Sequence, residues 1–151
     1  MTIELNGHVL TRRKGKWAND GEVIYVGKKA TLTVYGGNAG DTTHGSDIRH
    51  VEKAYVQSGS SFERENVMFY GGMIHGGNSS NGAGGIHMKS DSKVYLYDTT
   101  VAGNRAEQTW NQDGYGGVYT ERYNDITQAG TTIIRGNSSK SYTEDNFRSQ
   151  P

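Results

Sequence analysis

Tyr25, Tyr55, His87 and Tyr119 follow one another at intervals of 30, 32 and 32 residues. Each is the third member of a short tetrad: Val-Ile-Tyr-Val at 23 to 26, Lys-Ala-Tyr-Val at 53 to 56, Gly-Ile-His-Met at 85 to 88 and Gly-Val-Tyr-Thr at 117 to 120. Strands stacked in parallel would bring these rings to about 4.8 Å from one another, as a continuous flat strip. Sugar rings pack their C–H faces on such aromatics while their hydroxyls bond polar neighbours. The strip is therefore a candidate carbohydrate surface; the competing reading is that aromatic residues simply form good strands and steady the sheet. Lys89, Glu121 and Arg122 add charge beside it. Trp110 sits in a polar insertion, 107 to 113, either as an edge contact for a ligand or as a cover over an open side of the fold.

What must position these side chains is the repeat itself. A fixed period between 20 and 50 residues marks an array in which each unit buries its apolar face by stacking on its neighbours. Within each unit the apolar residues alternate, which is the period of a half-buried strand. Ile24 and Val26, and likewise Ile86 and Met88, are expected inside, with Tyr25 and His87 outside. A second strand follows, with Leu32/Val34, Val67/Phe69 and Val94/Leu96 inward. A third apolar touch (Met73 and Ile74, Val101, Ile133 and Ile134) precedes a Gly-Asn pair at 77 to 78, 103 to 104 and 136 to 137. Asparagine tolerates the left-handed conformation of a corner, and its amide can bond the backbone of an adjacent coil. The three pairs are thus expected to stack as an asparagine ladder.

Three short strands per repeat predict an all-β chain, one parallel β-helix domain over 1 to 151 with about four to five coils. The coils fall at 23 to 52, 53 to 84, 85 to 116 and 117 to 148, with 1 to 22 an N-terminal coil or cap. Trp17 is read as part of that cap. Coil 1 loses the template after Gly37, where 41 to 50 is expected to loop out. In coil 4, Ile126-Thr127-Gln128-Ala129 fits the second strand only with a one-residue shift. The polar stretch 141 to 151 covers the end or frays.

Composition closes several other routes. Apolar residues make up 32% of the chain and mean hydropathy is -0.77, enough for a narrow core only. The 22 glycines against one proline suit many tight turns. Sixteen basic and 16 acidic residues balance, so no global field draws nucleic acid, and no apolar run is long enough for a membrane span. The first residues lack the pattern of a secretory signal. With no cysteine there is neither a disulfide framework nor a thiolate zinc site. The five histidines show no metal-ligand spacing; His44 and His50 with Asp41 and Asp47 are read as a solvated loop rather than a cation site. No nucleophile elbow is present, so no catalytic residue is assigned.

The segments Ile-Glu-Leu-Asn-Gly-His (3 to 8), Asp-Gly-Glu-Val-Ile-Tyr-Val (20 to 26), Ala-Thr-Leu-Thr-Val (30 to 34) and the glycine-rich run 71 to 87 resemble the repeat regions of large bacterial cell-surface proteins. Chlamydial polymorphic outer-membrane proteins carry a similar repeat, in which Gly-Gly-Ile-Tyr and Ile-x-Gly-Asn alternate. The likeness spans most of 2 to 139, interrupted around 38 to 66, and is specific for fold rather than function. It implies a right-handed parallel β-helix of the pectate-lyase-like superfamily, adhesin-like, secreted or displayed at the cell surface. The hand of the helix rests on the resemblance alone. Two departures stand out: longer coils than the usual twenty-odd residues, and charged or aromatic insertions in several turns.

Three functions follow as expectations. The first is a non-catalytic module for adhesion or carbohydrate binding, using Tyr25, Tyr55, His87, Tyr119, Trp110, Lys89, Glu121 and Arg122 toward a glycan or host-surface ligand. The second is a structural spacer. The third is a polysaccharide lyase or hydrolase: pectate lyases carry calcium ligands and a basic residue on this face, and Lys89 or Arg122 with Asp91, Glu121 and Asp125 would fill those roles. No dense acidic cluster supports calcium, so no cofactor is assigned, and the paired carboxylates of a hydrolase have no candidate. End-to-end self-association through open strand edges completes the list.

Overall fold

The computed structural model describes residues 1 to 12, 21 to 37, 47 to 55, 61 to 69, 72 to 79, 82 to 106, 115 to 122, 125 to 139 and 146 to 149, and for 47 to 55, 61 to 69, 148 and 149 the backbone only. They form strands and turns throughout. In chain order the strands are β1 (Thr2–Glu4), β2 (Val9–Thr11), β3 (Ile24–Val26), β4 (Thr31–Tyr35), β5 (Asp47–Tyr55) and β6 (Ser61–Phe69). Next come β7 (Gly72–His75), β8 (Asn78–Ser79), β9 (Ile86–Met88), β10 (Lys93–Tyr97), β11 (Thr99–Ala102) and β12 (Arg105–Ala106). The last are β13 (Val118–Thr120), β14 (Asp125–Ala129), β15 (Ile133–Ile134), β16 (Ser138–Ser139) and β17 (Phe147–Ser149).

Four of the five sheets are parallel. A first sheet runs β3-β9-β13-β17, a second β1-β4-β10-β14, a third β2-β7-β11-β15, and a short corner sheet β8-β12-β16. From β3 onward the parallel strands follow one order, first, second, third, corner, and then return to the first. Strands β9 to β12 lie within 85 to 116 and β13 to β16 within 117 to 148. The corner strand after the glycine turn is an addition to the three strands anticipated.

Alternation places the core. Ile24, Ile86 and Val118 share one buried column, and Val26, Met88 and Thr120 the next, while Tyr25, His87 and Tyr119 turn outward between them. Leu32 aligns with Val94 and Val34 with Leu96, all with at most 1% exposure, and Ile74 and Val101 close the interior from the third sheet. Burying each such side chain contributes about 1.5–3 kcal/mol, which sustains a core only a few residues wide. Toward the C-terminal end the columns weaken: Ile126 is half-buried beside Val94, and Gln128 stands exposed where Leu96 is buried. Ile126 pairs with Val94 directly, so the expected one-residue shift is absent.

The segment 53 to 84 is not one pass. β5 and β6 pair antiparallel, Asp47 opposite Phe69 and Tyr55 opposite Ser61, as a ribbon inserted between β4 and β7. β3 consequently pairs with β9, and β4 with β10, 62 residues on, with no strand between. Val67 and Phe69, expected as inward members of a second strand, belong to this ribbon.

Asn104 and Asn137 are buried and linked, Asn104 Nδ2 donating to Asn137 Oδ1 at 2.9 Å. Asn104 Oδ1 accepts from Gly77 N at 3.0 Å, and Asn146 Oδ1 accepts from Asn137 N at 3.0 Å. The ladder therefore reads Gly77, Asn104, Asn137, Asn146. Asn78 falls one position past it, in register with Arg105 and Ser138 on the corner sheet. Gly76, Gly103 and Gly136 precede the rungs with φ of 82, 65 and 65°, a left-handed backbone that glycine adopts without strain.

Candidate functional site

The first sheet presents its aromatic residues on one outward face because its strands alternate and its register is direct: Tyr25 opposite His87, His87 opposite Tyr119. The glycine pairs that open β9 and β13 let successive passes approach this closely. At Gly85 a Cβ would come within 2.5 Å of the Gly117 carbonyl oxygen, and at Gly117 within 3.0 Å of the Asn137 amide nitrogen.

The rings meet at steep angles rather than as a flat strip. Tyr25 and His87 have centroids 5.3 Å apart at an interplanar angle of 78°, and His87 and Tyr119 stand 5.2 Å apart at 55°. A fourth ring, Tyr115, stacks on Tyr119 at 4.7 Å and 16°. Its signal in the sequence is the spacing Tyr115-Gly-Gly-Val-Tyr119, and Tyr115 bridges Ala83 in parallel at the same 32-residue offset as the strand that follows. Tyr25 is the open end of the run, 55% exposed, whereas the His87 side chain keeps only 13%.

One row further along the strands, Lys89 donates to Glu121 Oε1 as an ion pair. Ser90 supplies Glu121 Oε2 with its backbone N–H at 3.2 Å and its hydroxyl at 3.0 Å. His87 Nε2 stands 3.7 Å from Glu121 Oε1, beyond a hydrogen bond. Burial opposes the Glu121 charge, but the bonds from Lys89 and Ser90 outweigh it and hold the carboxyl below its usual range. The bond to Glu121 raises Lys89, so this ammonium is a donor and a fixed charge at neutral pH, not a base. Burial lowers His87 against the pull of Glu22 and Glu121, with Lys89 acting in the same direction as burial, and it raises Tyr119 with help from Tyr115 and Glu121. The face thus carries a neutral imidazole at His87, a protonated phenol at Tyr119 and one compensated ion pair.

Of the residues expected at this site, Tyr25, His87, Lys89, Tyr119 and Glu121 come together. Tyr55 does not: it ends β5 in the antiparallel ribbon, because the insertion removes that strand from the first sheet. Arg122 follows Glu121 into an exposed turn, its carbonyl accepting from Asp91 N at 3.3 Å. Trp110, like Trp17, Asp41 and His44, lies outside the described residues. Among the described residues no three His, Asp or Glu side chains gather as a cation site, and none forms a helix able to cross a membrane.

A second aromatic contact lies on the outward face of the second sheet, where Tyr35 stacks on Tyr97 at 5.0 Å and 14°. The alternation of Thr31 to Tyr35 and Lys93 to Tyr97 marks these residues as outward once the inward ones are assigned. Lys93 and Asp125 form an exposed ion pair at 3.8 Å on that sheet. No family model, curated protein or solved structure matches the chain.

Proposed function

We propose that this chain is a right-handed parallel β-helix acting outside the cell or at its surface as a non-catalytic module for adhesion or carbohydrate binding. Its ligand face is the outward side of the first sheet. The repeating order of parallel sheets supports the helix, and the hand follows from the resemblance of the repeat. The observation that carries the binding reading is the aromatic run Tyr25, His87, Tyr119 and Tyr115 beside the Lys89–Glu121 pair. Ring faces and edges for C–H contact, next to a paired donor and acceptor for hydroxyls, are what a sugar requires.

The test is retention on immobilised short oligomers of glucose, N-acetylglucosamine, mannose, galactose and galacturonate. Tyr25→Ala abolishes retention at an unchanged melting temperature, since Tyr25 is half in solvent and outside the core. Retention unaffected by Tyr25→Ala, or no retention of the unaltered chain by any oligomer, overturns the reading. The buried asparagine ladder, which needs no particular surface, favours a spacer as second reading; a spacer binds none of these sugars.

A further inference from the structure

Gly27 stands apart from the glycines around it. Those at 85 and 117 answer to close packing, whereas nothing lies within 4 Å of the place a Cβ would take at Gly27, and its backbone is outside the left-handed region. Neither a clash nor a torsion requires glycine there. A glycine in an otherwise side-chain-bearing row leaves room for something to approach the backbone.

The row is defined by the sheet. Lys89 N donates to Val26 O at 2.9 Å and Glu121 N to Met88 O at 2.9 Å, so Gly27, Lys89 and Glu121 succeed one another across the first sheet, just beyond Tyr25, His87 and Tyr119. β9 and β13 fill this row with the ion pair. The edge strand β3 leaves a notch one strand wide, with Tyr25 along the strand and Lys89 across it. The Tyr25 ring meets His87 at an angle of 78°, and more than half of its surface is open.

We propose that this notch seats one pyranose ring of a bound glycan, with its C–H face on Tyr25 and neighbouring hydroxyls on Lys89 and Glu121. A vicinal diol can accept from an ammonium and donate to a carboxylate at once, and Lys89 retains N–H groups beyond the one given to Glu121. Gly27 thereby sets which ring substituents are admitted: the subsite takes a ring with its C–H face bare and refuses one bearing a bulky group on that side. The inference rests on the carbohydrate reading and deepens it.

The test titrates the unaltered chain, Gly27→Ala and Gly27→Val against each oligomer retained in the panel above. A side chain at Gly27 has free space in the folded chain, so both variants keep their circular dichroism and melting temperature. Gly27→Val weakens binding by about tenfold or more, the loss of one sugar subsite, and Gly27→Ala by a smaller factor. Binding by both variants as tight as by the unaltered chain overturns the subsite while leaving the carbohydrate reading in place. Should Gly27→Val lose its cooperative melt, undiminished binding by Gly27→Ala and Gly27→Ser overturns it equally. An unaltered chain that none of the oligomers retains overturns the carbohydrate reading, and the subsite with it.

Discussion

Asn137 shows how much a single buried amide holds together. Its Oδ1 accepts from Asn104 N at 3.1 Å and its Nδ2 donates to Val101 O at 2.9 Å on one side and to Asn146 Oδ1 at 3.0 Å on the other, so both neighbouring corners depend on it. Asn137→Ala strands several buried polar groups at about 1–3 kcal/mol each, and we expect a loss of at least about 3 kcal/mol by urea unfolding. A loss under 1 kcal/mol, on the order of a surface change, would sink the ladder as a stabilising element. The titrating residues set a pH dependence of definite sign. Burial lowers His87 from 6.5, so as pH falls the unfolded chain takes up that proton first. The His87 contribution is complete above pH 6.5 and declines below it. Glu121, lowered from 4.5, contributes above that pH and loses its share as pH falls through its folded value. Lys89, raised from 10.5, contributes below that pH and loses its share as pH rises through its folded value. The Lys89–Glu121 pair is partly exposed, so its own contribution is small and salt-screened. Urea midpoints should therefore fall between neutral pH and the range below 6.5, and His87→Phe, which keeps a ring between Tyr25 and Tyr119, should remove that limb. An identical slope in the variant would refute the assignment to His87.

At the scale of elements the ribbon β5–β6 is the notable departure. A Cβ at Gly36 would lie 2.8 Å from Gly72 N, so the two ends of the insertion meet, and β4 pairs with β10 as though the intervening residues were absent. Loop closure over so short a gap costs little. A chain joined directly from Gly37 to Gly72 is expected to keep a strand-type circular dichroism spectrum and one cooperative transition, at a lower melting temperature because the ribbon lies beside β11 and β16. Loss of cooperative unfolding would mean that the ribbon is part of the stack after all. The insertion also explains the Tyr55 assignment. The residues from 38 to 71, within which β5 and β6 lie, are close to one repeat in number, so counting residues from Tyr25 lands on a tyrosine at the expected interval without any stacked strand beneath it.

Among the described residues the core is fully buried in the middle passes and thins toward the C-terminal end. Leu96 has no exposure, whereas Gln128, in register with it one pass later, faces solvent. Phe147, in the column of Ile86 and Val118, remains 43% exposed. Leu96→Ala should cost about 2–5 kcal/mol through the cavity it leaves, against less than about 0.5 kcal/mol for Gln128→Ala. Hydrogen exchange should follow the same gradient, slowest in β9 to β11 and faster in β14 and β15. Equal costs at the two positions would contradict a core that thins along its axis.

Period-two alternation and glycine-asparagine corners depend on a few adjacent residues, and from them the inward residues Ile24, Val26, Leu32, Val34, Ile86, Met88, Val94 and Leu96, the outward Tyr25, His87 and Tyr119, and two rungs of the ladder were legible in the sequence. Which segments lie against one another depends on contacts between residues 27 to 64 positions apart, and local pattern carries no record of them. Only the tertiary structure could therefore exclude Tyr55, move the first rung from Asn78 to Gly77, recruit Asn146 and Tyr115, and leave Gly27 open beside Tyr25. An inserted ribbon preserves the period of the chain while breaking its stacking, because spacing is counted along the backbone and packing is decided across it.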